Sequence, residues 1–273
     1  MAEIGIRWLL RLERVSRRLR LHLQRKRFGQ AAEPNSEAPN DPIAWEAIYL
    51  GSPSVVSRLA HPVARALAEL TVPGELLLEA GCGSAQISAE LATAGRRIEL
   101  CDFSAKILGQ AKRVFEVSGL TAPKCTECDI THPLPWAAGE VDVVWSSGVL
   151  EHWSDEQVEG IVREMARVSR RCVISLVPYA GCVLYQLAKH TAERSGLWPY
   201  GRELPRWSLR PLFEKVGLKA IVETTIWSEA APGMLNLTDP LYREVAADWW
   251  SAASADKRLR EEQGYLLLTV GYR

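Results

Sequence analysis

Glu79, Gly81 and Gly83 are the residues around which the chemistry of this 273-residue sequence is built. They close the run Leu76-Leu-Leu-Glu-Ala-Gly-Cys-Gly-Ser84, in which a short apolar stretch predicts a buried strand. Two glycines one residue apart then predict a tight turn, and a helical pattern begins at about Ala85. A strand, a glycine turn and a helix N-terminus make a place where a ligand can approach bare backbone. The acid narrows the ligand. A carboxylate at Glu79 would repel the pyrophosphate of a dinucleotide and attract a cation. The dinucleotide spacing also fails, because its third glycine position holds Gln86.

Further acids stand at predicted strand ends. Arg97-Ile-Glu-Leu-Cys101 runs into Asp102-Phe103, at about the offset where an acid meets a ribose in nucleotide-binding sheets. Its carboxylate can accept hydrogen bonds from both ribose hydroxyls, and Asp102 can equally start the next helix with Ser104. Lys124-Cys-Thr-Glu-Cys128 runs into Asp129-Ile130, where the acid suits an adenine amine and the backbone a ring nitrogen; alone, Asp129 would be a turn residue. Val141-Asp-Val-Val-Trp145 runs into Ser146-Ser147-Gly148-Val-Leu-Glu151-His152. Its small residues again let backbone approach a ligand, and His152 is a side chain that titrates near neutrality.

The elements that must hold these residues alternate. Strands are predicted near 76–80, 97–101, 124–128, 141–146, 171–177, 218–226 and 265–271. Helices are predicted near 43–50, 55–70, 85–94, 104–118, 155–168, 182–195 and 208–216. This is an α/β chain: a Rossmann-like seven-stranded sheet, mostly parallel, with helices on both faces and ligands beyond the carboxyl ends of the strands. Residues 1–28 read as a basic amphipathic helix, 29–42 as a Pro-rich linker, and 43–273 as one domain. Acceptor-site elements are expected at about 43–72, 178–210 and 227–262, where Trp45, Tyr49, His61, Trp227, Met234, Trp249 and Trp250 lie.

The net charge of zero conceals an uneven distribution. Residues 1–29 hold nine basic and two acidic side chains, a net +7, so the remainder carries −7. The basic head is a candidate for contact with an anionic membrane surface, with its own domain or with a partner subunit, or it is a mobile tail. An acidic body does not favour nucleic acid as partner. The sequence shows neither a signal peptide nor an apolar stretch of spanning length, so a cytoplasmic, at most membrane-peripheral, location is expected. No metal site is expected: the C-x-x-C of Cys125 and Cys128 lies in a predicted strand, where positions three apart face opposite ways.

Taken together, Glu79-Ala-Gly-Cys-Gly-Ser, Asp102, Asp129-Ile130 and Ser146-Ser-Gly-Val-Leu-Glu-His resemble the successive motifs of the class I S-adenosylmethionine-dependent methyltransferases, in particular the small-molecule and quinone-type group. The resemblance covers roughly residues 74–178, and it departs from the family at Ala85, which takes the place of a third glycine. It implies S-adenosyl-L-methionine as cofactor and an antiparallel last strand. It also implies a cofactor site made by Glu79, Ala80, Gly81, Cys82, Gly83, Asp102, Phe103, Asp129, Ile130, Ser146 and Ser147. His152 is the candidate general base. Glu151, His152, Tyr179, Tyr200 and Arg202 are the candidate acceptor residues, for a small apolar or aromatic molecule methylated by preference on oxygen. An RNA-directed methyltransferase and a non-catalytic scaffold subunit with the same fold stand as alternatives. Oligomeric state is left open.

Overall fold

The computed structural model describes residues 42–51, 53–194, 198, 200–234 and 240–273. The basic head and nearly all of the expected linker lie outside the described residues. Seven strands form one sheet in the order β3-β2-β1-β4-β5-β7-β6. They span β1 Leu76–Ala80, β2 Arg97–Asp102, β3 Lys124–Glu127, β4 Val141–Ser147, β5 Ser169–Pro178, β6 Lys219–Ile226 and β7 Leu266–Tyr272. Pairs β1/β2, β2/β3, β1/β4 and β4/β5 are parallel. β7 runs antiparallel to both β5 and β6, so the last strand is the reversed one, as the family resemblance implied. The chain order reverses between β1 and β4, which opens a crevice beyond their carboxyl ends.

Alternation along β1 explains the layers. Leu78 and Ala80 point to one face, where α5 (Asp155–Val168) and α7 (Arg210–Lys215) cover the sheet through Val158, Ile161, Val162, Met165 and Phe213. Leu77 points to the other, against Val63 and Leu67 of α2 (Pro62–Leu70) and Leu91 of α3 (Gln86–Thr93). Leu100 of β2 packs with α3 and with Leu108, Ala111 and Phe115 of α4 (Ala105–Val117). Ser154 caps α5 in a reciprocal capping box with Gln157, which fixes where the β4 loop gives way to helix.

Two expectations fail for local reasons. The helix expected from Val55 begins only at Pro62, because His61 before the proline is extended and accepts the Val63 N–H at its Nδ1. Among the described residues of 227–262, where no helix was expected, stand three: α8 (Ala230–Met234), α9 (Pro240–Ala253) and α10 (Lys257–Glu262). Among the described residues the remaining helices are α1 (Pro42–Tyr49) and α6 (Val183–Arg194), and a 3-10 turn spans Leu150–His152. Cys125 packs with α3 and α4 while Cys128 packs on the opposite face, so the C-x-x-C sulfurs diverge.

Candidate active site

The glycine turn shows why these residue types were needed. Gly81 and Gly83 both have positive φ (75° and 48°). A Cβ on Gly81 would stand 2.8 Å from Val149 Cγ2, and one on Gly83 would stand 3.0 Å from the Tyr49 ring. The turn is tied to β2 through the amides of Gly81 and Cys82, which donate to the Cys101 carbonyl at 2.9 and 3.0 Å. Ala85 follows with φ 52° at the N-cap of α3, a left-handed position held by a residue with a Cβ.

A cleft opens above this turn and divides into two adjoining parts, with about 550 and 1000 Å³ of free space. Both parts are bordered by Trp45, Tyr49, Gly81, Gly83, Gly148 and His152. The first part adds Asp102, Phe103, Cys128, Asp129 and Ile130. The second adds Glu79, Cys82, Ser147, Glu151, Tyr200 and Glu203, with His61, Trp227 and Tyr265 at its far wall. The structure therefore brings most of the expected site residues to one place. Ala80 and Ser146 are buried in the sheet and do not line the cleft. Tyr179 does not line it either: its ring packs edge-on against Trp207 at 5.8 Å. Arg202 reaches the site through its carbonyl, which accepts the His152 Nδ1 proton at 2.9 Å.

Helix α1 is pinned over the cleft by its own charges. Glu46 accepts from Ser104 Oγ and Lys106 Nζ, each at 2.8 Å, and Gln110 Nε2 donates to the Gly51 carbonyl at 2.6 Å. These bonds hold the stacked pair Trp45 and Tyr49, and Trp45 meets the His152 ring edge-on at 4.9 Å.

The carboxylates sit in different electrostatic settings. Asp102 is buried, and burial raises its pKa against the backbone N–H groups of Ser104, Gly83 and Phe103. Oδ2 accepts from Gly83 and Oδ1 from Ser104, both at 3.1 Å, and with the Phe103 N–H also facing the group the carboxylate keeps room for a further donor. Asp102 thus takes part in starting α4 while still bordering the cleft. Asp129 Oδ1 accepts from the Thr131 amide and hydroxyl at 2.9 and 2.7 Å, so it forms a turn as well as lining the cleft. Glu79 is fully buried, which pushes its pKa well up, although Ser88 Oγ donates to its Oε2 at 2.6 Å. Burial lowers the pKa of His152, with the Arg202 carbonyl opposing.

A buried polar group at the second part of the cleft went unread in the sequence. Glu203 stands beside Glu151, and the Tyr185 hydroxyl donates to its Oε2 at 2.5 Å. Burial pushes Glu203 up to about 7 against the Tyr185 hydrogen bond and the Lys189 charge, and burial with the Glu203 charge lifts Glu151 well above the usual carboxylate range. Lys189 is fully buried nearby, paired with Glu193 and 5.5 Å above the Trp198 ring. Tyr185 and Lys189, four residues apart among the buried residues of α6, hinted that polar chemistry lay inside.

Comparison with known proteins bears on the fold that carries this cleft. A family model described as a methyltransferase domain matches residues 77–171, the span from β1 to the start of β5. The match covers 95 of the 273 residues, so the likeness is that of this stretch to a methyltransferase domain. Over 117 residues it is 30% identical to the magnesium-protoporphyrin O-methyltransferase of Synechocystis, covering 42% of this chain and 50% of that protein. The chain spans about half or less of the length of the curated relatives it matches. Among solved structures, an S-adenosylmethionine-dependent methyltransferase from Aquifex aeolicus superposes with a TM-score of 0.53 at 12% identity, over 85% of this chain and 98% of that one. The Synechocystis magnesium protoporphyrin IX methyltransferase with bound SAH gives 0.51 at 20% identity, over 77% of this chain and 80% of that one. At such identities these two structures show the shared fold. No helix among the described residues is long and apolar enough to cross a membrane.

Proposed function

We propose that the protein transfers a methyl group from S-adenosylmethionine to a small, planar aromatic or apolar acceptor, by preference at an oxygen. The observation that carries this reading is the shared border of the two parts of the cleft. Nucleoside-type residues (Asp102, Asp129, Ile130) line one part and a wall of aromatic rings lines the other, with Gly81, Gly83 and His152 between them. The glycine turn, which tolerates no Cβ at Gly81, and the buried Glu79 and Asp102 suit a flat nucleoside carrying positive charge. In this reading Asp102 holds the ribose, Asp129 and Ile130 the adenine, and Glu79 the cationic methionine end. When bound, the cofactor supplies an electrophilic methyl on a sulfonium, and the protein's task is to bring the acceptor into line and exclude water.

His152 is the residue of this chain best placed to handle the acceptor's proton. The Arg202 carbonyl can only accept, so Nδ1 carries a proton, and the neutral ring leaves Nε2 with a lone pair. Trp45 against the ring fixes its plane. Trp45, Tyr49, Tyr200, Trp227 and Tyr265 give the acceptor aromatic walls beside the polar Glu151, His152 and Glu203. Support for a planar macrocyclic acceptor comes from the relative named for methylating magnesium-protoporphyrin. Nucleic acid is disfavoured by the −7 balance that residues 30–273 carry.

The test is transfer of label from methyl-labelled S-adenosylmethionine to a panel of porphyrin carboxylates, quinols, phenols and an RNA control. Label in a planar small molecule supports the reading. Label in RNA alone, or no cofactor binding at all, would overturn it.

A further inference from the structure

We propose that Glu151, His152 and Glu203 form a binding site for one divalent cation at the acceptor side of the cleft. Each of the three offers a ligand atom, and these atoms lie within 4.8 Å of one another. All three residues line the same part of the cleft. A second observation points to a ligand there: Oε2 of Glu151 is buried without a hydrogen-bond partner, in a residue that is 1% exposed.

The bonds around the cluster orient it in the manner of a ligand set. The Arg202 carbonyl takes the proton on His152 Nδ1, which leaves Nε2 turned to Glu151 Oε1 at 4.0 Å. Two ligand atoms on opposite sides of a cation, each at about 2.1 Å, are about 4.2 Å apart. A small movement thus turns the observed gap into coordination. Glu203 is steadied by the Tyr185 hydroxyl, an outer partner of the kind that fixes a ligating carboxylate.

The charges of Lys189 and Arg206 act on Glu203 and Glu151, but each of these cations is ion-paired with another acid. Lys189 is paired with Glu193 and lies over Trp198. Arg206 is paired with Asp155 and donates to the Trp153 carbonyl at 2.5 Å. Two buried carboxylates in such a setting are costly unless a proton or a cation joins them. Two carboxylates and one imidazole suit Mg2+, Mn2+ or Zn2+ with open positions. Those positions would face the cleft that the three residues line. A cation there would make an acceptor oxygen bound to it more acidic, and that clause alone rests on the methyl-transfer reading. The sequence could not display this set by spacing, because Glu203 comes from the loop before α7, far along the chain from Glu151 and His152.

The test is a Mn2+ titration of the full chain after chelator treatment, read by electron paramagnetic resonance. The expected result is one Mn2+ per chain, with affinity reduced at least tenfold in Glu203→Gln and in Glu151→Gln. No stoichiometric binding up to about 1 mM, the weak end for oxygen-liganded divalent sites, would overturn the proposal. So would binding that neither substitution changes, because it would put the ion elsewhere or leave a shared proton as the link between Nε2 and Glu151. A Mn2+-soaked wild-type crystal serves if a variant fails to fold: an anomalous peak among the three side chains supports the site, and its absence overturns it. An S-adenosylhomocysteine titration on the same preparation keeps the two readings apart. Mn2+ bound without nucleoside binding would sink methyl transfer and leave the cation site standing.

Discussion

The Gly83 amide donates to Asp102 Oδ2 at 3.1 Å, joining the glycine turn after β1 to the acid at the tip of β2. The same carboxylate accepts the Ser104 amide through Oδ1, so one buried acid organises a turn, a strand end and the start of α4. A residue in this position can hold a ribose only because its surroundings are already bonded in place.

Asp102→Ala is expected to weaken S-adenosylhomocysteine binding at least tenfold, about 1.4 kcal/mol. It should also lower stability, because the Gly83 and Ser104 amides lose their acceptor. Calorimetric titration beside chemical denaturation checks both, and unchanged affinity removes the ribose assignment.

Gly81→Ala should destabilise the fold by roughly 1–3 kcal/mol, since a Cβ at φ 75° is strained and would stand 2.8 Å from Val149 Cγ2. Adding Val149→Ala should relieve the contact and leave the backbone strain. Urea unfolding of the single and double variants measures the two parts, and a Gly81→Ala protein as stable as wild type would contradict the close packing of the turn.

Glu79 gives a pH prediction. Burial holds its folded pKa well above the usual value, so the free protein keeps it protonated where the unfolded chain is ionised. The sign follows: its contribution to stability is present at low pH and is lost as pH rises through the raised pKa. A cationic ligand favours the ionised form, so binding S-adenosylmethionine should release a proton from Glu79 and strengthen as pH rises. Titration calorimetry in buffers of different ionisation heat reads that release. Glu79→Gln should abolish the Glu79 share; identical proton release in the variant would count against placing the cationic end at this residue.

His152→Ala should lower turnover at least tenfold while changing S-adenosylhomocysteine affinity much less, a proton-handling role being worth about 100-fold or more. Steady-state rates with the acceptor found by the label assay, set beside binding, separate the two. Equal loss in both quantities would make His152 a wall of the nucleoside site, and intact turnover would remove its role.

Much of the sheet was legible because its central strands are short apolar runs closed by an acid or a small residue, and because acids recur at strand tips. Leu76–Ala80 and Val141–Ser147 are of this kind. The false start of α2 was legible too, in Pro62, which forbids a helical His61. Helix α10 escaped because it is almost wholly charged, and α9 because its many apolar residues form no clear stripe and most of its described side chains are exposed. Glu203 and Lys189 escaped for a different reason. A lone acid in a loop and a lone lysine in a helix read as surface residues, and only tertiary packing against Glu151, Tyr185 and Trp198 buries them. Ser146 and Tyr179 sit in or beside the motifs yet face the interior, because strand alternation and the packing of Trp207 turn them away from the cleft.

A crystal structure of the complex with S-adenosylhomocysteine tests the central claim most directly. The expected result is ribose hydroxyls on Asp102, adenine between Asp129-Ile130 and the cleft wall, and the sulfur turned toward His152. A ligand bound away from the tips of β1, β2 and β4, or no bound ligand at saturating concentration, would contradict the account.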